Sequence, residues 1–92
     1  MEKENVKERF SKNLVILRKK HKLTQGGLAE KLSYSDKTIS KWENGDALPD
    51  VETLCLISDF FGVGVDELLK SDIEEIQKKR RNKKLKQKQT NL

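Results

Sequence analysis

Ninety-two residues are enough for one small domain and a tail, and 38% of them are charged against 34% apolar. One cysteine (Cys55) and one histidine (His21) exclude a disulfide framework and a typical three- or four-ligand zinc site. The longest apolar runs, at 14–17 and 54–57, fall far short of a membrane span, and the first residues carry no secretory core, so a cytoplasmic chain without membrane association, metal or cofactor is expected.

The net charge of +5 is segregated along the chain. Residues 1–41 hold 11 Lys/Arg and 5 Asp/Glu, residues 42–70 hold 1 and 7, and residues 71–92 hold 8 and 3. Such polarity fits an oriented contact with a polyanion, and equally the ordinary charge of exposed helices.

Val6, Phe10, Leu14 and Leu17 recur at helical spacing and predict a first helix from Asn5 to about Lys20. After His21-Lys22-Leu23, Thr24 is a good N-cap for a second helix, Gln25 to Leu32. Ser33-Tyr34-Ser35 is a tight connection. Ser35 then caps a third helix, Asp36 to Asn44, with Asp36 suited to the positive end of the helix dipole. Gly45 stops it. Pro49 fits the first turn of a fourth helix that runs to Phe61. Gly62 ends that helix, and Val65 to Lys70 forms a short fifth. No period-2 run marks a strand. An all-α domain over residues 1–70 follows, with a tail over 71–92. In the tail, Ile73 and Ile76 make one apolar turn ahead of the basic run 78–84. That segment reads as helical at its start, then frayed, with disorder from about residue 82.

The second and third helices with their short turn form a helix-turn-helix pattern over residues 25–44. Two helices that cross steeply need a small residue at their contact, and Ala29 supplies it. Leu28 and Leu32 lie on the core side, and Tyr34 plugs the turn with a hydroxyl in reach of a phosphate. Ile39 and Trp42, three apart, turn the inner face of the third helix to the core. Lys37, Ser40, Lys41 and, more laterally, Asp36 then point outward. A helix with such a polar outer face fits a major groove about 12 Å wide.

The residues Leu17-Arg18, Leu23-Thr24-Gln25, Leu28-Ala29-Glu30-Lys31-Leu32, Thr38 to Gly45, Leu48-Pro49, Glu52-Thr53-Leu54 and Phe61-Gly62-Val63 resemble the Cro/CI-type helix-turn-helix family. This is the phage-repressor-like, xenobiotic-response-element (XRE) class, and the likeness covers about residues 8–70. It implies a five-helix, lambda-repressor-like all-α domain. It also implies a sequence-specific regulator of transcription that binds double-stranded operator DNA, a repressor acting as a homodimer on an inverted repeat. Carried onto this chain, the resemblance gives base reading to Lys37, Ser40 and Lys41, the lysines favouring guanine, while Asp36 accepts from cytosine or caps the helix. It gives phosphate contacts to Gln25, Thr38 and Asn44, and a buried ion pair to Arg18 and Glu43. Three positions depart from the pattern: Gly26-Gly27 after the Thr-Gln pair, Ser33 where the turn usually has glycine, and Gly64 in place of a serine cap.

Leu56 and Val15-Ile16 are apolar where the family is commonly polar. They read as lone exposed residues, as a dimer face, or as surface covered by the Ile73/Ile76 turn. From another functional class comes a rival reading: an antitoxin-like or adaptor module whose protein partner sits on Leu56/Ile16, with DNA secondary. Trp42 reads as core, His21 as an exposed helix end and Cys55 as a small semi-buried hydrophobe. The basic tail reads as a phosphate-tracking arm, as a contact with RNA or a membrane surface, or as a solubilising end. No nucleophile–base pair or phosphate-cradling loop points to an enzyme.

Overall fold

A computed structural model describes residues 5–80. Helix starts fall where a side chain can satisfy the first free amides. Asn5 opens α1 (Val6–Lys20) by accepting from the Glu8 amide at 2.8 Å, while the Glu8 carboxylate accepts from the Asn5 amide. Thr24 accepts from the Gly27 amide at 2.9 Å and opens α2 (Gln25–Leu32). Ser35 does the same for α3 (Asp36–Glu43), through the Thr38 amide at 3.2 Å. The fourth helix corrects the reading of Pro49: α4 is Val51–Phe61, its cap is Asp50, and the Thr53 amide donates to it at 2.8 Å. A carboxylate that accepts a first-turn amide outranks the proline as the start signal, and Pro49 is buried in the preceding loop. Gly64 opens α5 (Val65–Lys70), its amide donating to Glu67 at 2.9 Å.

Four helices end in a left-handed residue: Lys22, Ser33, Gly45 and Gly62, at φ 58°, 63°, 79° and 70°. Each termination is closed by an amide reaching back to the last turn: Leu23 to Arg18 (3.1 Å), Tyr34 to Ala29 (2.8 Å), Asp46 to Lys41 (2.9 Å) and Val63 to Ser58 (3.1 Å). Glycine adopts this conformation freely, whereas Lys22 and Ser33 bear a steric strain of about 1 kcal/mol each.

The apolar stripes meet in one core. Phe10, Leu14 and Leu17 of α1 pack with Leu28, Ala29 and Leu32 of α2 and with Ile39 and Trp42 of α3. Leu54, Ile57 and Phe61 of α4 and Leu68 of α5 close it. Packing does not stop at residue 70. Ile73 is buried in the same core at the start of α6 (residues 73–80). Asn13 fastens this extension. Its amide nitrogen donates to the carbonyls of Glu67 (3.2 Å), Leu68 (2.8 Å) and Ser71 (2.8 Å), and its oxygen accepts from the Ile73 amide at 3.3 Å. One buried side chain thus satisfies the end of α5 and the entry to α6. Arg80 pairs with Glu67 at 3.3 Å. The described residues are therefore all-helical, with α6 added to the five expected helices. The tail readings for residues 81–92 lie outside the described residues. No described helix is long and apolar enough to cross a membrane.

Relieving the two strained turns should stabilise the domain. Ser33→Gly and Lys22→Gly are each expected to gain up to about 1 kcal/mol, which thermal unfolding would report as a rise of a few degrees. A lower melting temperature for either variant would contradict the strain assigned to it.

Candidate nucleic-acid interface

α3 has two sharply different sides. Ile39 and Trp42 are buried, while Asp36, Lys37 and Lys41 are exposed and Ser40 is half-buried beside them. The four outward residues expected from the sequence therefore share one accessible surface. Thr38 is half-buried at the flank, its hydroxyl 3.1 Å from that of Ser35, and Asn44 is exposed at the C-cap.

The helix is held by a charged joint at its far end. Arg18 of α1 donates to both Glu43 oxygens, Nε to Oε2 at 2.6 Å and Nη2 to Oε1 at 3.1 Å. Its Nη1 also donates to the Leu23 carbonyl at 2.8 Å. Gln25, the first residue of α2, donates from Nε2 to Glu43 Oε1 at 2.9 Å. The Arg18 and Glu43 side chains are only 13% and 4% exposed. A single carboxylate thus joins α1, α2 and α3. The joint also turns the Gln25 side chain, leaving its oxygen and one N–H uncommitted to it.

Tyr34 is fixed from the other side. Its ring meets Trp42 edge-on at 5.2 Å, and its hydroxyl lies 2.7 Å from the Thr53 hydroxyl on α4. The Asp50 carboxyl is held below its ordinary value of 3.8 by hydrogen bonds from Thr53, the hydroxyl first and the amide second. The Tyr34 and Thr53 hydroxyls share one hydrogen bond, in which either oxygen can be the donor. The ring is thereby a strut between the turn and α4. Sequence reasoning missed Thr53 and Leu23 as partners. The caps were the available signal for Thr53, since it stands three residues after Asp50.

The apolar positions singled out in the sequence separate. Ile16 is half-buried in a groove shared with Glu74 and Lys78, so α6 covers its flank. Leu56 stays 54% exposed on α4, away from that groove. Cys55 is exposed, not semi-buried, because α4 turns it away from Leu54 and Ile57.

The helix-turn-helix family matches residues 14–68. The chain belongs to that family. It is 48% identical over 63 residues to the HTH-type transcriptional activator BcrR of Enterococcus faecalis, a stretch covering 68% of this chain and 31% of that protein. Among solved structures it resembles the LexA repressor of Eubacterium rectale, at 28% identity and a TM-score of 0.70, over 78% of this chain and 77% of that one. It also resembles the P22 c2 repressor, solved in complex with synthetic operator 9T, at 31% identity and a TM-score of 0.62, over 76% of this chain and all of that one. The Cro/CI-type, lambda-repressor-like fold is thereby shown. The chain spans less than a third of BcrR.

Two measurements check this joint and its brace. Because Asp50 titrates low when folded, its contribution is fully present above about pH 4 and is lost as pH falls through the depressed value. Asp50→Asn keeps a cap and should flatten the acid limb of the stability–pH curve; an unchanged limb would remove Asp50 as its source. At Glu43, Glu43→Gln or Arg18→Met alone should cost about 3–5 kcal/mol by urea unfolding, since each strands a buried charge. Replacing both should cost well under the two single losses added together.

Proposed function

We propose that this chain is a sequence-specific double-stranded DNA-binding regulator that represses transcription as a homodimer on an inverted repeat. The observation that carries the reading is the outer surface of α3: Lys37, Ser40, Lys41 and Asp36 lie together on a helix whose inner face is locked by Ile39 and Trp42. On this reading α3 enters the major groove. Lys37 and Lys41 donate to guanine O6 and N7, Ser40 reads either base type, and Asp36 accepts from cytosine N4. Gln25 and the free amides at the start of α2 hold one phosphate, aided by the positive end of the helix. Thr38 and Asn44 hold phosphates on the flanks and set the register. A second copy reads the partner half-site about 34 Å away. An occupied operator excludes other proteins without any further contact, which makes repression the simplest outcome. The LexA and P22 c2 relatives are named repressors, and BcrR is named an activator.

Selection of bound sequences from a random double-stranded pool, at near-physiological salt, tests this. An enriched inverted repeat with guanine in each half-site is expected. Lys41→Gln should weaken the preference for one guanine by about 1–3 kcal/mol and leave the rest of the site intact. A single enriched half-site would remove the dimer, and bulk binding with no enriched sequence would overturn base reading altogether.

A further inference from the structure

The exposed side of α4 is not used by the α3 surface. Of the large apolar side chains exposed among the described residues, three lie on it: Val51 at 77%, Leu56 at 54% and Phe60 at 39%, with Cys55 open between them. The helical period arranges these residues in order. Val51 and Cys55, four apart, form one ridge, and Leu56 and Phe60, four apart, form another. Glu52 heads the Leu56/Phe60 ridge and Asp59 ends the Val51/Cys55 ridge, so the two exposed carboxylates fall between Cys55 and Leu56 around the helix, seven residues and about 10 Å apart along the axis. Neither carboxylate has an ion pair among the described residues. Phe60 is held in place by its neighbours, 4.9 Å from the Phe61 ring and 6.2 Å from the His21 ring.

Charge decides what can cover this face. No Lys or Arg occurs from residue 42 to residue 69, and Asp50 adds a further carboxylate at the start of the helix. Glu52 and Asp59 disfavour nucleic acid and anionic membrane surfaces over the middle of the helix, while the His21 ring beside Phe60 marks where the basic end of α1 borders the face. A second copy seated α4 against α4 would press Glu52 and Asp59 onto the same carboxylates of its partner, at the centre of the contact where screening is weakest. A cationic surface has the opposite outcome, because apolar ridges on both sides shield a charge pair from water and strengthen it.

We propose that the exposed side of α4 docks a basic amphipathic helix of another protein, with two Lys or Arg residues about two turns apart over Glu52 and Asp59 and apolar side chains on the Val51/Cys55 and Leu56/Phe60 ridges. The surface lies outside the α3 contacts, so the inference stands apart from the DNA reading.

The test is selection from a displayed library of randomised amphipathic helices on the full chain, beside the double variant Glu52→Lys/Asp59→Lys. Melting temperature and helix content establish that the variant is folded. Helices with Lys or Arg seven residues apart, flanked by apolar residues, are expected from the wild type, and helices with Asp or Glu at those places from the variant. One enriched basic peptide should bind the double variant at least tenfold more weakly, and Leu56→Ser should also weaken it. Identical sequences from both proteins, enrichment of neutral or acidic helices by the wild type, or no enrichment would overturn the proposal. So would a concentration-dependent dimer in sedimentation that Leu56→Ser dissolves, since the face would then belong to a second copy.

Discussion

Glu43 is where the geometry of the first three helices is decided. Its two oxygens accept from Arg18 on α1 and Gln25 on α2, while the carboxylate itself sits on the last residue of α3. A buried charge tolerates little displacement, because each lost hydrogen bond leaves it unsolvated as well as unpaired. The joint contributes less to net stability than its three bonds suggest, since desolvation offsets much of the attraction. What it fixes is the angle and depth of α3 relative to α1 and α2. Arg18 extends the constraint to the backbone through the Leu23 carbonyl, so the turn between α1 and α2 is held by the same group.

A second, independent constraint works from the opposite flank. Tyr34, Trp42, Thr53 and Asp50 run from the turn of the helix-turn-helix to the cap of α4. Trp42 belongs to α3, one residue before Glu43. The outward row of α3 is therefore set by a charged joint on one side and an aromatic and hydroxyl chain on the other. Neither uses a residue of that row.

Much of this was legible in the chain. The Phe10, Leu14, Leu17 stripe and the caps at Thr24 and Ser35 gave α1, α2 and α3 nearly to the residue, because periodicity and capping agree there. Ile39 and Trp42 told the inner face of α3 from the outer one. Pro49 misled, since a proline at a helix start and a proline just before a cap look alike until the Asp50–Thr53 pairing is weighed. Asn13 was harder. It stands on the apolar face of α1 among Phe10, Leu14 and Leu17, where a polar residue signals a buried partner without naming it. Its partners lie more than fifty residues away, at the end of α5 and in the entry to α6. For the same reason the continuation of the core past residue 70 was visible only as the apolar turn at Ile73 and Ile76. The separation of Ile16 from Leu56 depends on how α6 crosses α1, which no local pattern encodes.

The division of α3 into a locked side and an open side has an evolutionary consequence. Substitutions at exposed positions away from caps and buried partners typically change stability by less than about half a kcal/mol. Lys37 and Lys41 meet that description, whereas Ile39, Trp42 and Glu43 do not. Descendants of this chain can therefore exchange the outer side chains in single steps without passing through unfolded ancestors. The outer row is free to drift while the architecture stays still.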